Sequence, residues 1–403
     1  MHDSFLMIYF LIQFLMLLFL GIATLYVFLF AVAGLFYHDP LIPETDKIRK
    51  IAVLIPGYME DDVILEVARK ALSQDYPIEA FDVVIIADSF RQETLEKLRL
   101  MSVKLFEVQF EKSTKSKALN KGMSLLSDEY DIAVVLDADN LMGMDFLRQI
   151  NRAFGLNCIA VQAHRTAKNM NNSMAILDAA SEEINNHIFR KGHRVLGLSS
   201  AIIGSGMAFD YHFFKDMMLT VTAVGGFDKE IELKMLRAGH KIAYLDKAYV
   251  YDEKVQKAEV FSNQRRRWLS AQLHYFRRDF FGALKELITR GNIDYFDKAF
   301  QFIQPPRILL LGGVLIFGVI FVIANYLITG YLIFSLLWTA VTGACLLTFF
   351  FSIPASFYNL KTLRALFSLP GGMLLMLLSL LKIKGANKQF IHTSHTSSEK
   401  ELK

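Results

Sequence analysis

Two aspartates one residue apart, Asp137-Ala138-Asp139, follow a short apolar run at 132–136. On an extended segment, residues i and i+2 point the same way. Two carboxylates so placed can share one hard cation; Mg2+ typically takes one or two carboxylates and completes its shell with phosphate oxygens and water. The plainer reading is a solvated acidic turn. Asp88 closes another apolar run, 81–87, where it can accept hydrogen bonds from a nucleobase or ribose, or cap a helix starting near Arg91. Lys115 and Lys117 stand at a helix start, where the helix dipole favours anions over cations. An anionic ligand accounts for them, and so does a solvated basic turn. Gly204-Ser205-Gly206-Met207-Ala208-Phe209 lets another molecule approach the backbone, or makes a turn before a strand. Phe227-Asp228-Lys229-Glu230-Ile231-Glu232-Leu233 opens an amphipathic helix ending near Gly239. Its carboxylates either complement the dipole or supply a general base, which must reach a reacting hydroxyl. Gln264-Arg265-Arg266-Arg267-Trp268 precedes a long apolar segment. Arginines with Trp there match lipid headgroups; alternatively, Arg grips a diphosphate and Trp offers a flat face to a sugar ring.

The elements that must position these residues alternate along 50–250. Apolar runs at 51–55, 81–87, 132–136 and 158–163 predict buried strands. The first three end at Pro56-Gly57, at Asp88 and at Asp137-Ala138-Asp139. Helical stretches fall between them, near 61–72, 91–100, 116–126 and 143–153. Such alternation predicts an α/β fold with a mainly parallel sheet covered on both faces. In such sheets, ligands bind beyond the carboxyl ends of the strands.

The rest of the chain is apolar. Of 403 residues, 53% are hydrophobic and 21% charged, which excludes a disordered chain. A net charge of +4 does not indicate a nucleic-acid binder. Cys158 and Cys345 make no disulfide framework and no zinc spacing. Residues 4–37 are free of charge, as are 308–360. A spanning helix needs about 20 apolar residues, so the first run predicts a retained anchor and the second two helices, near 308–327 and 331–353. A third stretch, 365–381, contains Pro370-Gly371-Gly372 and has basic flanks, which predicts an interfacial or re-entrant segment. Lys47, Arg49 and Lys50 follow the first span. Arg265 to Arg278 precede the second, and Lys361, Arg364, Lys382, Lys384 and Lys388 follow the third. Basic residues collect on the cytosolic side. The expected topology therefore has the N-terminus outside and 47–300 in the cytosol, at an inner or plasma membrane.

Taken together and in order, the motifs resemble the membrane-embedded family 2 glycosyltransferases, the group containing cellulose, hyaluronan and poly-N-acetylglucosamine synthases. Val53-Leu54-Ile55-Pro56-Gly57-Tyr58-Met59-Glu60 is similar to the opening strand and V-I-P-A-Y-N-E loop, departing at Gly57 and Met59. Ala87-Asp88-Ser89 resembles the nucleoside-binding Asp motif, Lys115 to Asn120 resembles K-A-G-A-L-N, and Gly204 to Phe209 resembles G-S-G-x-x-F. Gln264, Arg267 and Trp268 match Q-x-x-R-W as spaced. The resemblance covers about 50–280. It implies a GT-A, Rossmann-like cytosolic domain using a nucleotide sugar, expected to be a UDP-sugar, with Mg2+ or Mn2+. By position, it implies that Tyr58, Glu60, Asp88, Lys115, Asp137 and Arg267 face the donor and that Asp137 and Asp139 hold the metal. Gly204, Ser205, Gly206, Gln264 and Trp268 would face the acceptor. Glu230 would be the base, where the family's T-E-D has Asp and this chain has Asp228-Lys229-Glu230.

The expected organisation is an anchor at 1–46, a GT-A domain at 47–255, interfacial helices at 256–306, membrane or interfacial helices at 307–384, and a polar tail at 385–403. The expected reaction is one displacement at the anomeric carbon, inverting it, with Q-x-x-R-W pointing to a chain-extending β-polysaccharide synthase. Three to four membrane segments are few for a channel, so a second copy or partner subunit is a further expectation. The rival expectations are single addition to a lipid-linked acceptor and a non-catalytic membrane component that binds nucleotide sugars.

Overall fold

A computed structural model describes residues 2–40, 45–156, 158–330 and 332–382. The polar tail expected at 385–403, with Lys384 and Lys388, lies outside them.

Eight strands form one sheet: β1 (Ile51–Tyr58), β2 (Phe81–Asp88), β3 (Lys104–Val108), β4 (Ile132–Val135), β5 (Leu141–Met142), β6 (Ala160–Ala167), β7 (Met207–Asp210) and β8 (Ile242–Asp252). Their order is β3-β2-β1-β4-β7-β6-β8-β5. The four expected strands are β1, β2, β4 and β6. Alternate residues of β1 enter opposite cores: Ile51, Val53 and Ile55 pack on one face, Ala52 and Leu54 on the other. A helix, α1 (His2–Gly34), precedes the sheet. α2 (Ile64–Leu72), α3 (Gln92–Arg99) and α5 (Phe146–Ala153) fill the first core. α4 (Lys115–Leu125), α8 (Tyr211–Leu219) and α9 (Phe227–Arg237) fill the second.

The sheet is mixed. β3-β2-β1-β4 pair in parallel, and β7 runs antiparallel to both β4 and β6. Two consequences place the site. The chain leaves β1 toward β2 on one side and returns to β4 on the other, so the crevice at the switch point opens beyond Tyr58 and Val135. Because β7 runs backwards, its start, and with it Gly204-Ser205-Gly206, lies at the carboxyl end of β4.

α6 (Ser173–Asn185) continues through a π-helical turn, Asn186–Gly192, into α7 (His193–Val195). α10 (Ala258–Arg290) and α11 (Ile293–Gln301) form a hairpin leading to α12 (Arg307–Ala324) and α13 (Leu332–Ser352). α14 (Leu360–Leu366) and α15 (Leu369–Leu381) follow. Among the described residues, three helices are long and apolar enough to cross a membrane: Ser4–Gly34, Arg307–Ile328 and Leu332–Ser352. α14 and α15 bend by 48° at their junction. At about 1.5 Å per residue, the 13 residues of α15 fall short of a bilayer's hydrocarbon core.

α1 packs against both α12 and α13. Inside that cluster a buried amide pair closes, Asn325 Nδ2 donating to Gln13 Oε1 at 2.8 Å, with Tyr9 OH donating to Asn325 Oδ1 at 2.7 Å. The far end of α1 presses on the π-helical turn. A Cβ on Gly192 would lie 2.1 Å from the Phe30 carbonyl oxygen, so only glycine admits this approach. His193 stacks on Phe30 with centroids 3.7 Å apart. Its Nε2 lies 3.1 Å from Asp297 Oδ2, and Tyr26 OH donates to Oδ1 of the same aspartate at 2.6 Å.

Candidate active site

The carboxyl ends of β1, β2, β4 and β8 open into one cavity of about 1470 Å³, closed by α4, α6, α9 and α10. Tyr58, Glu60, Asp88, Lys115, Asp137, Asp139, Gly204, Gln264, Arg267 and Trp268 all line it. Glu230, Ser205 and Gly206 do not.

Asp88 ends β2 with its side chain buried, and Ser89 Oγ donates to its Oδ1 at 2.9 Å. It does not cap α3, whose preceding residue is Arg91 with no side-chain cap. The backbone here is strained. Met59 and Ser89, directly after β1 and β2, have φ of 55° and 60°, the two non-glycine positive values among the described residues. Such conformations cost of order 1–3 kcal/mol each and persist where the surroundings impose them.

Asp137 follows β4 and is about a third exposed, while Asp139 is buried. Asp137 pairs with Lys115, whose Nζ also donates to the Gly204 carbonyl at 2.7 Å and lies 5.2 Å from the centre of the Phe227 ring. Lys115 thus ties the start of α4 to the acidic loop, the glycine segment and α9. Thr114 caps α4 by accepting from Lys117 N at 3.2 Å. Asp139 Oδ1 accepts from Asn140 Nδ2 at 3.1 Å, and the same amide donates to Asp252 Oδ1 at 3.0 Å. Asp137 and Asp139 are hard oxygen donors at one cavity wall. A divalent ion bridging to phosphate oxygens asks a protein for no more than that. No group of three or more metal-type side chains occurs among the described residues.

Glu230, the expected base, faces away from this cavity. Its Oε1 lies 2.9 Å from Lys234 Nζ and 3.7 Å from Arg278 Nη1, and its Oε2 accepts from Thr222 N at 3.3 Å. Asp228 lines the cavity instead, beside Gly204: a Cβ on that glycine would sit 3.7 Å from the Asp228 Cβ and Cγ. The reason is helical. Gly226, with φ of 70°, starts α9 at Phe227. Residues two apart on a helix point about 200° apart, so Asp228 and Glu230 occupy opposite sides. That signal was available in the sequence once the motif was placed in a first turn.

Ser205 and Gly206 back the acidic loop rather than face a ligand. Ser205 Oγ accepts from Asp137 N at 2.9 Å and donates to Asn140 Oδ1. Gly206 is packed against Val250, 3.1 Å from where its Cβ would be. Only Gly204 of the three reaches the cavity, with φ of 81°.

Gln264, Arg267 and Trp268 stand at i, i+3 and i+4 of α10, which is one helical face. Burial pulls the Arg267 pKa below its ordinary value. Gln264 Oε1 is buried without a hydrogen-bond partner. The Arg265 guanidinium covers the Trp268 ring at 4.4 Å and pairs with Asp178. Deeper in the wall is a buried charge cluster that no sequence motif announces. Arg165 Nη2 donates to Glu182 Oε2 at 2.8 Å, Arg165 Nε lies 3.9 Å from Asp252, and Lys254 Nζ donates to Asp252 Oδ2 at 2.8 Å. Burial opposes charge on Arg165, but Asp252 and Glu182 outweigh it and hold its pKa above the ordinary value.

A strained rim over a mixed αβ sheet, with paired carboxylates and cations in one cleft, defines a group-transfer enzyme of the GT-A-like class. The chain belongs to the glycosyltransferase-like family 2, whose model matches residues 49–271. No curated protein matches it significantly. Among solved structures it is similar to the mannosyltransferase PcManGT of Pyrobaculum calidifontis, in complex with GDP-Man and Mn2+. The identity is 16% over 84% of this chain and 98% of that one, with a TM-score of 0.52. It also matches TarS of S. aureus in complex with UDP-GlcNAc, at 16% identity over 80% of this chain and 91% of that one, with a TM-score of 0.39. The first likeness extends to the fold.

Proposed function

We propose that the protein is an inverting glycosyltransferase, taking a sugar from a nucleotide-sugar donor with Mg2+ or Mn2+ and working from the cytosolic face of a membrane. One observation carries this reading: Asp88, Asp137, Asp139, Asp228 and Arg267 share a single cleft at the switch point of the sheet. Asp88 and Tyr58 take the nucleoside, at the ends of β2 and β1. Lys115 and Arg267 face the diphosphate. Asp137 and Asp139 hold the divalent ion, which when bound neutralises charge on the departing diphosphate. Arg267 meets that same developing charge from a partly buried position on α10. Asp228 takes the base role from Glu230. The acceptor oxygen bonds to the anomeric carbon, and the bond from that carbon to the diphosphate oxygen breaks with its electron pair leaving on the nucleotide. The acceptor proton passes to the Asp228 carboxylate. One displacement inverts the centre, so an α-linked donor gives a β-linkage.

The test is a panel of UDP- and GDP-sugars offered to purified protein with Mg2+ or Mn2+, reading diphosphate release. Asp228→Asn is expected to lower turnover by about 10²–10⁴-fold, the usual worth of a positioned base, while nucleotide binding persists. Glu230→Gln keeps turnover within about tenfold, because its carboxylate serves α9 through Lys234. Asp139→Asn removes metal-dependent nucleotide binding. Full turnover in Asp228→Asn together with loss in Glu230→Gln overturns the base assignment.

A further inference from the structure

The cavity does not end at the transfer centre. It continues past Trp268 and along α6 to the near ends of α12, α13 and α15. There its walls are hydrocarbon: Leu315, Leu346, Phe349, Phe350, Leu375 and Met376. A polysaccharide leaving by this route would turn its hydroxyls to apolar side chains and lose their hydrogen bonds, a cost of roughly 1–3 kcal/mol per unpaired group.

At the join between the polar and apolar parts stand two arginines, both lining the cavity. Arg307 opens α12. Its Nη2 donates to the Ser181 carbonyl at 3.1 Å and to Ser181 Oγ at 3.2 Å, while its Nη1 is buried with no hydrogen-bond partner. Arg265 pairs with Asp178 through Nη2, and its Nε is likewise buried and unpartnered. Buried guanidinium donors without acceptors are costly unless a ligand supplies the acceptor, and guanidinium geometry suits phosphate oxygens. A cationic collar at the mouth of a hydrocarbon groove, continuous with a sugar-transfer centre, selects a molecule with an anion between a greasy tail and a polar head.

Resting on the transfer reading above, we propose that the acceptor is a membrane lipid with a hydrocarbon tail, a phosphate and a hydroxyl-bearing head. The tail lies in the groove of α12, α13 and α15, and the phosphate sits against Arg265 and Arg307. The head hydroxyl reaches Asp228 past Trp268. Its oxygen bonds to the anomeric carbon, the nucleoside diphosphate departs with the electron pair of the broken bond, and the hydroxyl proton passes to Asp228. This acceptor takes the place of the growing polysaccharide expected from Q-x-x-R-W.

Gly371 supplies the clean variant. It lines the groove, and a Cβ there meets no atom within 4 Å. Gly371→Phe therefore adds a ring at the groove wall from a Cβ that stands in open space. In one arm, full-length protein in detergent is examined by native mass spectrometry with dioleoylphosphatidylglycerol, against dioleoylglycerol (tails without phosphate) and glycerol 3-phosphate (phosphate without tails). One phosphatidylglycerol is expected to stay bound, with both controls weaker. Arg307→Gln weakens retention about tenfold or more, the worth of a charge-assisted hydrogen bond, and Gly371→Phe abolishes it. Equal retention of dioleoylglycerol, or retention unchanged in Gly371→Phe, overturns the proposal, even if Arg307→Gln fails to fold. In the second arm, radiolabelled donors and a membrane lipid extract are supplied, and label is sought in the organic phase. Lipid label that disappears in Gly371→Phe while nucleotide binding persists supports the proposal. Label confined to a water-soluble polymer overturns it and leaves the transfer reading standing. Absence of both nucleotide binding and transfer would sink the transfer reading itself.

Discussion

His164 shows how single side chains set this protein's response to pH. Its Nδ1 lies 2.9 Å from Asp246 Oδ1 and its Nε2 lies 3.0 Å from Glu183 Oε2, so each ring nitrogen donates to a carboxylate. Burial opposes the charge, but those two partners outweigh it and raise the pKa to about 9. Burial would raise Asp246, yet His164 and Lys191 bring it down to about 2. A folded pKa above the unfolded value of about 6.5 gives stabilisation that is complete below that value and lost as pH rises through about 9. The amount is on the order of 3 kcal/mol. Thermal melts between pH 6 and 10, a range chosen to span roughly both limits, should therefore fall in the wild type. His164→Gln should start lower and change less; parallel curves would refute the assignment. Asp246 contributes in the opposite sense, its share lost only as pH falls through about 2. None of this cluster was legible in the sequence, since its members come from β6, the α6 helix and β8. Asp228 and Glu230 were legible as a helix first turn, and about 100° per residue already implied that one carboxylate alone could face the cleft.

Among elements, the docking of α1 on the π-helical turn is a close backbone-to-backbone joint. Gly192→Ala would drive a methyl group into the Phe30 carbonyl, 2.1 Å away. Backbone must move, so a loss of about 1–3 kcal/mol or more is expected, read as a lower melting temperature and faster proteolysis between α1 and β1. Gly155→Ala, whose Cβ meets nothing within 4 Å, serves as the control and should change little. The helices expected near 61–72, 91–100, 116–126 and 143–153 and the apolar spans were readable to within a few residues, because apolar spacing and charge-free length are local properties; α6 and α8 were not read. The strands divided by burial. β1, β2 and β4 are apolar and were found. β3 is an edge strand with Lys104 and Glu107, and β8 carries Asp246 and Lys247, so neither reads as a buried run. The antiparallel entry of β7 was hidden too, since direction is a relation between strands. It is nevertheless what brings Gly204 to Asp137.

At the scale of the whole molecule, α1, α12 and α13 form one packed cluster joined to the αβ domain through α6, the π-helical turn and α11. The proposed topology of three crossings puts residues 4 and 327 on one side and the αβ domain on the other. In intact cells, an impermeant maleimide should label Ser4→Cys and Leu327→Cys, while Lys285→Cys should react only after lysis. Labelling of Lys285→Cys in intact cells would reverse the orientation. The sequence by itself determined that the chain has charge-free membrane lengths at both ends of an αβ domain, and it determined the order of the motifs along it. These follow from composition and from neighbours along the chain, where helix and strand periodicities act. Only the tertiary structure decided which carboxylate of α9 faces the cleft, that Ser205 clasps a loop instead of meeting a ligand, and that the cleft runs on to hydrocarbon past Arg307. Those depend on contacts between segments distant along the chain, 68 residues for Ser205 with Asp137 and 126 for Arg307 with Ser181, and packing, rather than residue type, settles which atoms meet.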